Sequence, residues 1–199
     1  MKKINSKGFT LIELLAVITI MGILMMVAIP AVSRTIENTR RDTFATLAKT
    51  YINAVRNANI GDELKCGSFN TSSATTNGYY YFPIDTTTQT TKDIMESGGM
   101  SSWGNTDVRG YVAWKKINNS ASDGYNYTYY AVLVDIGNHG IGKMTAENDI
   151  TRSKVLTVSE TTYANTKSEP TTDTIVPSLK NIAGDANLQV SDITACELR

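Results

Sequence analysis

The sequence predicts an α+β chain: one long N-terminal α-helix whose second half lies against a C-terminal antiparallel β-sheet. Three observations predict it. Residues Phe9 to Val32 form an apolar run of 24 residues with a single charge, Glu13. From Ser33 to Ile60, apolar residues return at three- and four-residue steps, the period of a helix with one buried stripe. The C-terminal half holds segments rich in aromatic and β-branched residues, the composition of strands.

The chain begins with a short polar stretch, residues 1–8, carrying Lys2, Lys3 and Lys7. Behind it, the 21 residues from Phe9 to Ile29 rise about 31 Å as a helix, close to the roughly 30 Å hydrocarbon core of a bilayer. Cations before the run and none inside it put the N-terminus on the cytoplasmic side. A secretory signal peptide fits poorly: its apolar core is about 7–15 residues long and ends in a small-x-small site, whereas this run is longer and offers only Ile29-Pro30-Ala31. A plain anchor gives no reason for a carboxylate at Glu13, because charge inside a membrane is expensive. Glu13 therefore asks for a partner. Pro30 lacks an N–H and crowds the carbonyl of Met26, and Gly22 is a poor helix former, so the helix has two weak points.

In residues 33–60, the stripe is Phe44, Leu47, Ala48, Tyr51, Ile52, Val55 and Ala58, with Arg34, Glu37, Arg40, Arg41, Asp42, Lys49 and Arg56 around it. One helix is expected from Phe9 to about Asn59, with Gly61 as its stop. Residues 61–110 are rich in Thr, Ser, Asn and Gly. Thr71 to Gly78 and Asp85 to Thr91 read as loop, Asp93 to Glu96 as a short helical turn, and Tyr79 to Pro83 as a patch that packs the loop onto the sheet. The sheet and C-terminal region occupy 111–199. Strands are expected at Tyr111–Ile117, Tyr125–Ile136, Lys154–Val158 and Leu188–Leu198, with 118–124 as a hairpin turn.

Composition narrows the function. The chain has 199 residues, 19 Lys+Arg against 19 Asp+Glu, two Cys and one His. Balanced charge argues against nucleic-acid binding through bulk electrostatics, two cysteines against a disulfide-dense scaffold, and one histidine against a multi-His metal centre. Gly137 to Gly142 lacks the Lys-Ser/Thr of a phosphate-binding loop, and His139 within it has no nucleophile or acid at suggestive spacing, so an exposed turn histidine is expected. Asp185, Asn187 and Asp192 fall short of a calcium-loop motif. No catalytic residue, metal or cofactor is expected.

Lys7-Gly8-Phe9-Thr10-Leu11-Ile12-Glu13-Leu14-Leu15 resembles the class III signal of type IV prepilins and their pseudopilin relatives. The resemblance covers residues 1 to about 35 and implies the pilin fold. It implies that a prepilin peptidase cuts between Gly8 and Phe9, removing 1–8 as a leader, and methylates the new N-terminal Phe9. Glu13 becomes the fifth mature residue and Pro30 the twenty-second. Cleavage leaves 16 cations against 19 acids. In the family, the Glu meets the terminal ammonium of a neighbouring subunit; pairing with its own Phe9 ammonium, at i, i+4, is the alternative. The family also implies a melted stretch from Gly22 to Pro30 in the filament, against a static kink at Pro30.

Many relatives carry a disulfide in the C-terminal half. Here the cysteines are Cys66 and Cys196, a departure from that placement, and a bond between them would close about 130 residues and contribute about 4–5 kcal/mol. Buried free thiols are the alternative. The implied role is a major pilin: held in the cytoplasmic membrane through residues 9–32, then assembled by a platform and ATPase into a homo-oligomeric surface filament for adhesion, motility or biofilm formation. A minor pilin or a secretion or competence pseudopilin is the alternative within the family. A membrane-tethered adhesin or DNA-uptake receptor is the alternative from another class.

Overall fold

The computed structural model describes residues 8–67, 69–70, 78–86, 94–95, 99–105, 107–119, 124–158, 175, 179–182, 187–189 and 192–199. Helix α1 spans Leu11–Ile60. The chain divides into two compact units, residues up to Thr39 and from Arg40 to Arg199.

In the second unit, the end of α1 packs through the stripe its period announces. Phe44, Ala45, Ala48, Tyr51, Ile52, Val55 and Ala58 are buried, with Leu47 packed partly against them. The helix ends at Ile60, just before its glycine, but Asp62 rather than Gly61 takes the left-handed conformation, at φ 58°. The Glu63 N–H donates to the Ala58 carbonyl at 2.9 Å, the long-range bond of a Schellman cap.

The sheet has eight strands: β1 Leu64–Cys66, β2 Phe69–Asn70, β3 Gly78–Asp85, β4 Val108–Asn119, β5 Gly124–Asp135, β6 His139–Ala146, β7 Leu156–Thr157 and β8 Ile193–Leu198. Their order across the sheet is β2-β1-β8-β3-β4-β5-β6-β7. Every pairing is antiparallel except β3 with β8, which run parallel from Tyr79↔Ile193 to Tyr81↔Ala195. The β4–β5 hairpin is the longest ladder, from Val108↔Asp135 to Asn119↔Gly124, because both strands supply β-formers along their length.

Several expectations need correction. Tyr79–Pro83 is not a loop laid on the sheet. It lies within β3, and Tyr79, Tyr80, Tyr81 and Phe82 are all buried. Strands β1 and β3 and the start of β4 run through the span read as variable loop. The Gly-rich turn ends at Asn138, and residues 139–146 continue as β6. Two glycines hid that strand, yet Gly140 sits at φ 151°, where any side chain would strike the Leu133 carbonyl of β5. His139 is half-buried, not exposed. The 154–158 strand shrinks to two residues after a 3₁₀ turn at Arg152–Lys154, and Leu188 and Gln189 precede β8 without joining it. Of the 93–96 turn, Ile94 is helical while Asp93 and Glu96 lie outside the described residues, as do 71–77, 87–91 and Asp185.

Alternation sends the sheet's side chains to two apolar layers. Tyr80, Phe82, Val112, Trp114, Tyr129, Ala131 and Leu133 face α1. Tyr79, Tyr81, Tyr111, Ala113, Tyr130 and Val132 gather on a second core with Ile175, Leu179, Leu188 and Ile193. The second layer comes from the C-terminal stretch that precedes β8. Cys66 and Cys196 are directly opposed across β1 and β8, Cα atoms 4.0 Å apart, and joined by a disulfide. Beside it, the Arg199 N–H donates to the Glu63 carbonyl at 3.0 Å, docking the chain's end beside the helix terminus.

Candidate processing and assembly site

The residues singled out at the N-terminus occupy the first described unit. Gly8, Phe9 and Thr10 precede the helix and are exposed. Gly8 meets no atom within 4 Å of where a Cβ would stand, so packing within the chain does not require a glycine there. Phe9 is 87% exposed.

Thr10 starts the helix and Glu13 completes its first turn. The Glu13 carboxylate accepts from both the Thr10 N–H and the Thr10 hydroxyl at 2.8 Å. In return, Thr10 Oγ1 accepts from the Glu13 N–H at 3.3 Å. This is a reciprocal capping box, which satisfies helix-start donors with the two side chains that need partners themselves. The negative carboxylate also faces the positive end of the helix dipole. Thr10 was not singled out from the sequence, although the Thr-x-x-Glu spacing carries the signal.

Beyond Glu13, the surface is apolar. Leu11, Ile12, Leu14, Leu15, Val17, Ile18, Ile20 and Met21 are all exposed by about half or more. The same holds for the side chains from Ile23 to Val32 that flank Pro30. The helix is long and apolar enough to cross a membrane, with none of its apolar window buried by the chain itself. Thr19 keeps its hydroxyl occupied within the helix by donating to the Ala16 carbonyl at 2.8 Å. Gly22 and Pro30 lie inside the helix, so residues 22–30 are helical in the single chain. Nothing stands within 4 Å of a Cβ built on Gly22, so packing within the chain does not require a glycine there.

The structure thus brings Gly8, Phe9 and Glu13 together within two turns, with Gly22 and Pro30 farther along one helix and the cysteine pair in the other unit. Among the described residues, no three His, Cys, Asp or Glu side chains are grouped to hold a metal ion.

A family model described as the prokaryotic N-terminal methylation motif matches residues 3–29. No curated protein and no solved structure matches the chain. The match takes in Gly8, Phe9, Thr10, Glu13 and Gly22 and ends one residue short of Pro30. Over those residues, the chain carries the type IV pilin-like prepilin signature.

Proposed function

We propose that the chain is a prepilin whose mature form is the major structural subunit of a type IV pilus. One observation carries this reading: a helix whose apolar surface is bare over more than 20 residues, with one acid near its start, under the methylation motif. Bare apolar surface of that extent is stable only against lipid or against other apolar helices. Residues 9–32 hold the precursor in the cytoplasmic membrane, N-terminus inside. A prepilin peptidase removes residues 1–8 and methylates Phe9, and an assembly platform and ATPase move the subunit into the fibre.

Glu13 sets the direction of that transfer. In the uncleaved chain, its carboxylate rests on Thr10. Cleavage creates an ammonium at Phe9, and docking against a neighbour lets the carboxylate meet that subunit's ammonium, so a charge poorly solvated by lipid gains a partner. Gly22 and Pro30 give the buried helix a stretch that loosens in the fibre. The protein is a substrate of enzymes and performs no catalysis.

Mass spectrometry of the mature N-terminus tests processing: methyl-Phe9 is expected, and an intact Met1 or a start at Val32 overturns it. Glu13→Ala is expected to insert in the membrane and fail to enter fibres; normal fibres end the pairing argument. Sheared fibres resolve the role, because a different dominant protein makes this chain a minor pilin or pseudopilin. Fibre-free surface binding by the membrane-held chain instead favours a tethered adhesin or uptake receptor.

A further inference from the structure

On the face of the sheet turned away from α1, a recess of about 340 Å³ opens where β1, β8 and β3 lie side by side. Alternation creates it. Leu64, Cys66, Cys196 and Leu198 belong to the α1 core, so Lys65, Ala195 and Glu197 take the other face, where Tyr81 also lies. The register sets Tyr81 beside Ala195 and Lys65 beside Glu197. Ala195 is exposed, and its small side chain makes the low point of the recess. Tyr81 and Pro83 wall one side, and Lys65 and Glu197 wall the other. Gly67, at φ 58°, donates its N–H to the Ala195 carbonyl at 3.2 Å and adds no side chain to fill the space.

The lining carries one cation and one anion. Lys65 Nζ lies 3.9 Å from Glu197 Oε1, and both side chains are more than half exposed, so each keeps hydrogen-bonding capacity toward a ligand. The next charges along these strands lie outside the lining. Asp85 holds Arg109 at 3.5 Å, Asp62 holds Arg199 at 3.3 Å, and the exposed Glu63 turns its carboxylate toward Gly61. A ligand of either sign therefore gains one partner in the recess and meets one repulsion. A neutral vicinal diol gains both partners: one hydroxyl oxygen accepts from the ammonium, and its neighbour donates to the carboxylate. The tyrosine and proline wall takes an apolar face of C–H bonds. A sugar ring combines these two demands, and the volume lies in the range of small-ligand sites.

We propose that this recess is a saccharide-binding subsite, taking a neutral pyranose with its C–H face on Tyr81 and Pro83 and two adjacent hydroxyls on Lys65 and Glu197. One subsite with exposed polar partners binds weakly, and repetition along a polymer of heads would multiply it through avidity. The subsite goes beyond the pilin reading and belongs to the head alone, so it holds whether or not the chain forms fibres.

The full chain in phosphocholine micelles, which carry no sugar, tests it by NMR titration with methyl β-galactoside, methyl β-glucoside and methyl α-mannoside. At least one is expected to shift the Tyr81 and Ala195 resonances with a dissociation constant of about 1–10 mM. Glu197→Gln preserves the shape, removes the anion and is expected to weaken binding about ten-fold at unchanged melting temperature, because the pair is exposed. Ala195→Tyr fills the recess and is expected to abolish the shifts; should it fail to fold, Glu197→Gln decides alone. No shift with any of the three sugars at about 100 mM overturns the subsite, as does binding that survives Glu197→Gln undiminished. Tighter binding of sialic acid or of lysine methyl ester also overturns it, because the lining would then favour one charge. Failure to find methyl-Phe9 or fibres is a separate result that touches only the pilin reading.

Discussion

Trp103 lies flat over His139, ring centroids 4.4 Å apart and planes 8° from parallel. The stack sets the imidazole edge, with Nδ1 3.4 Å from Asp135 Oδ1, while Trp103 also meets Phe44 of α1 at 5.9 Å. Asp135 is the hub. It accepts from Ser101 Oγ at 2.5 Å, Asn105 Nδ2 at 2.9 Å and the His139 N–H at 2.9 Å. A fully buried carboxylate persists because donors surround it. Asp135→Ala strands those donors and is expected to destabilise the head by about 3 kcal/mol, read in a denaturant titration. A loss below about 0.5 kcal/mol would show that water replaces the carboxylate.

The disulfide should dominate the head's resistance to unfolding. Cys66 and Cys196 are separated by 130 positions, so reduction frees a long loop in the unfolded chain. Replacing both with serine is expected to remove about 4 kcal/mol, and reductant should have no further effect on the double variant. Unchanged stability under reductant would mean that β8 is held by its backbone ladders alone.

Gly99 is a steric necessity. It sits at φ 59°, any Cβ there would strike the Tyr51 hydroxyl, and that hydroxyl donates to the Gly99 carbonyl at 3.3 Å. Gly99→Ala must displace either the loop or Tyr51 and is expected to cost about 2 kcal/mol, whereas Gly104→Ala, with open space at its Cβ, should cost less. Equal melting temperatures for the two variants would refute the contact.

Alkali should unfold the head through its tyrosines. Burial raises the phenols of Tyr80, Tyr129 and Tyr130, because the charged form loses solvation. A folded pKa above the unfolded one leaves that stability intact below pH of about 10 and removes it as pH climbs further. Lys116 has the opposite sign: burial lowers it, so its cost is present at neutral pH and fades in alkali. Three phenols outweigh one amine, so the melting temperature is expected to hold to about pH 10 and fall above it, together with tyrosinate absorbance. Tyrosinate appearing before unfolding would contradict the burial argument.

Thr10 should fix the start of the helix. Thr10→Val retains size and removes the hydroxyl that serves Glu13 in both directions. Amide exchange in the first turn of the uncleaved chain is expected to rise about five-fold. Thr10→Ser should restore it, which separates capping from packing.

The residues alone determined the helix and its two faces. An apolar run broken only by Glu13 is long enough to cross a membrane as one helix, and the stripe from Phe44 to Ala58 repeats with the period of a helix packed on one side. The signature around Gly8, Phe9 and Glu13 was equally legible, because its spacing is local. The partner of each cysteine was not: it depended on β1 and β8 meeting across 130 positions. Strand β6 escaped because Gly140 has no strand propensity; its place is set by the close approach of Leu133. Tyr79 to Phe82 read as a patch because a run of aromatics does not show which ladder it joins. Short-range periodicity writes faces and caps into the sequence, whereas pairing across a sheet is chosen by neighbours distant in the chain, and only the folded head decides them.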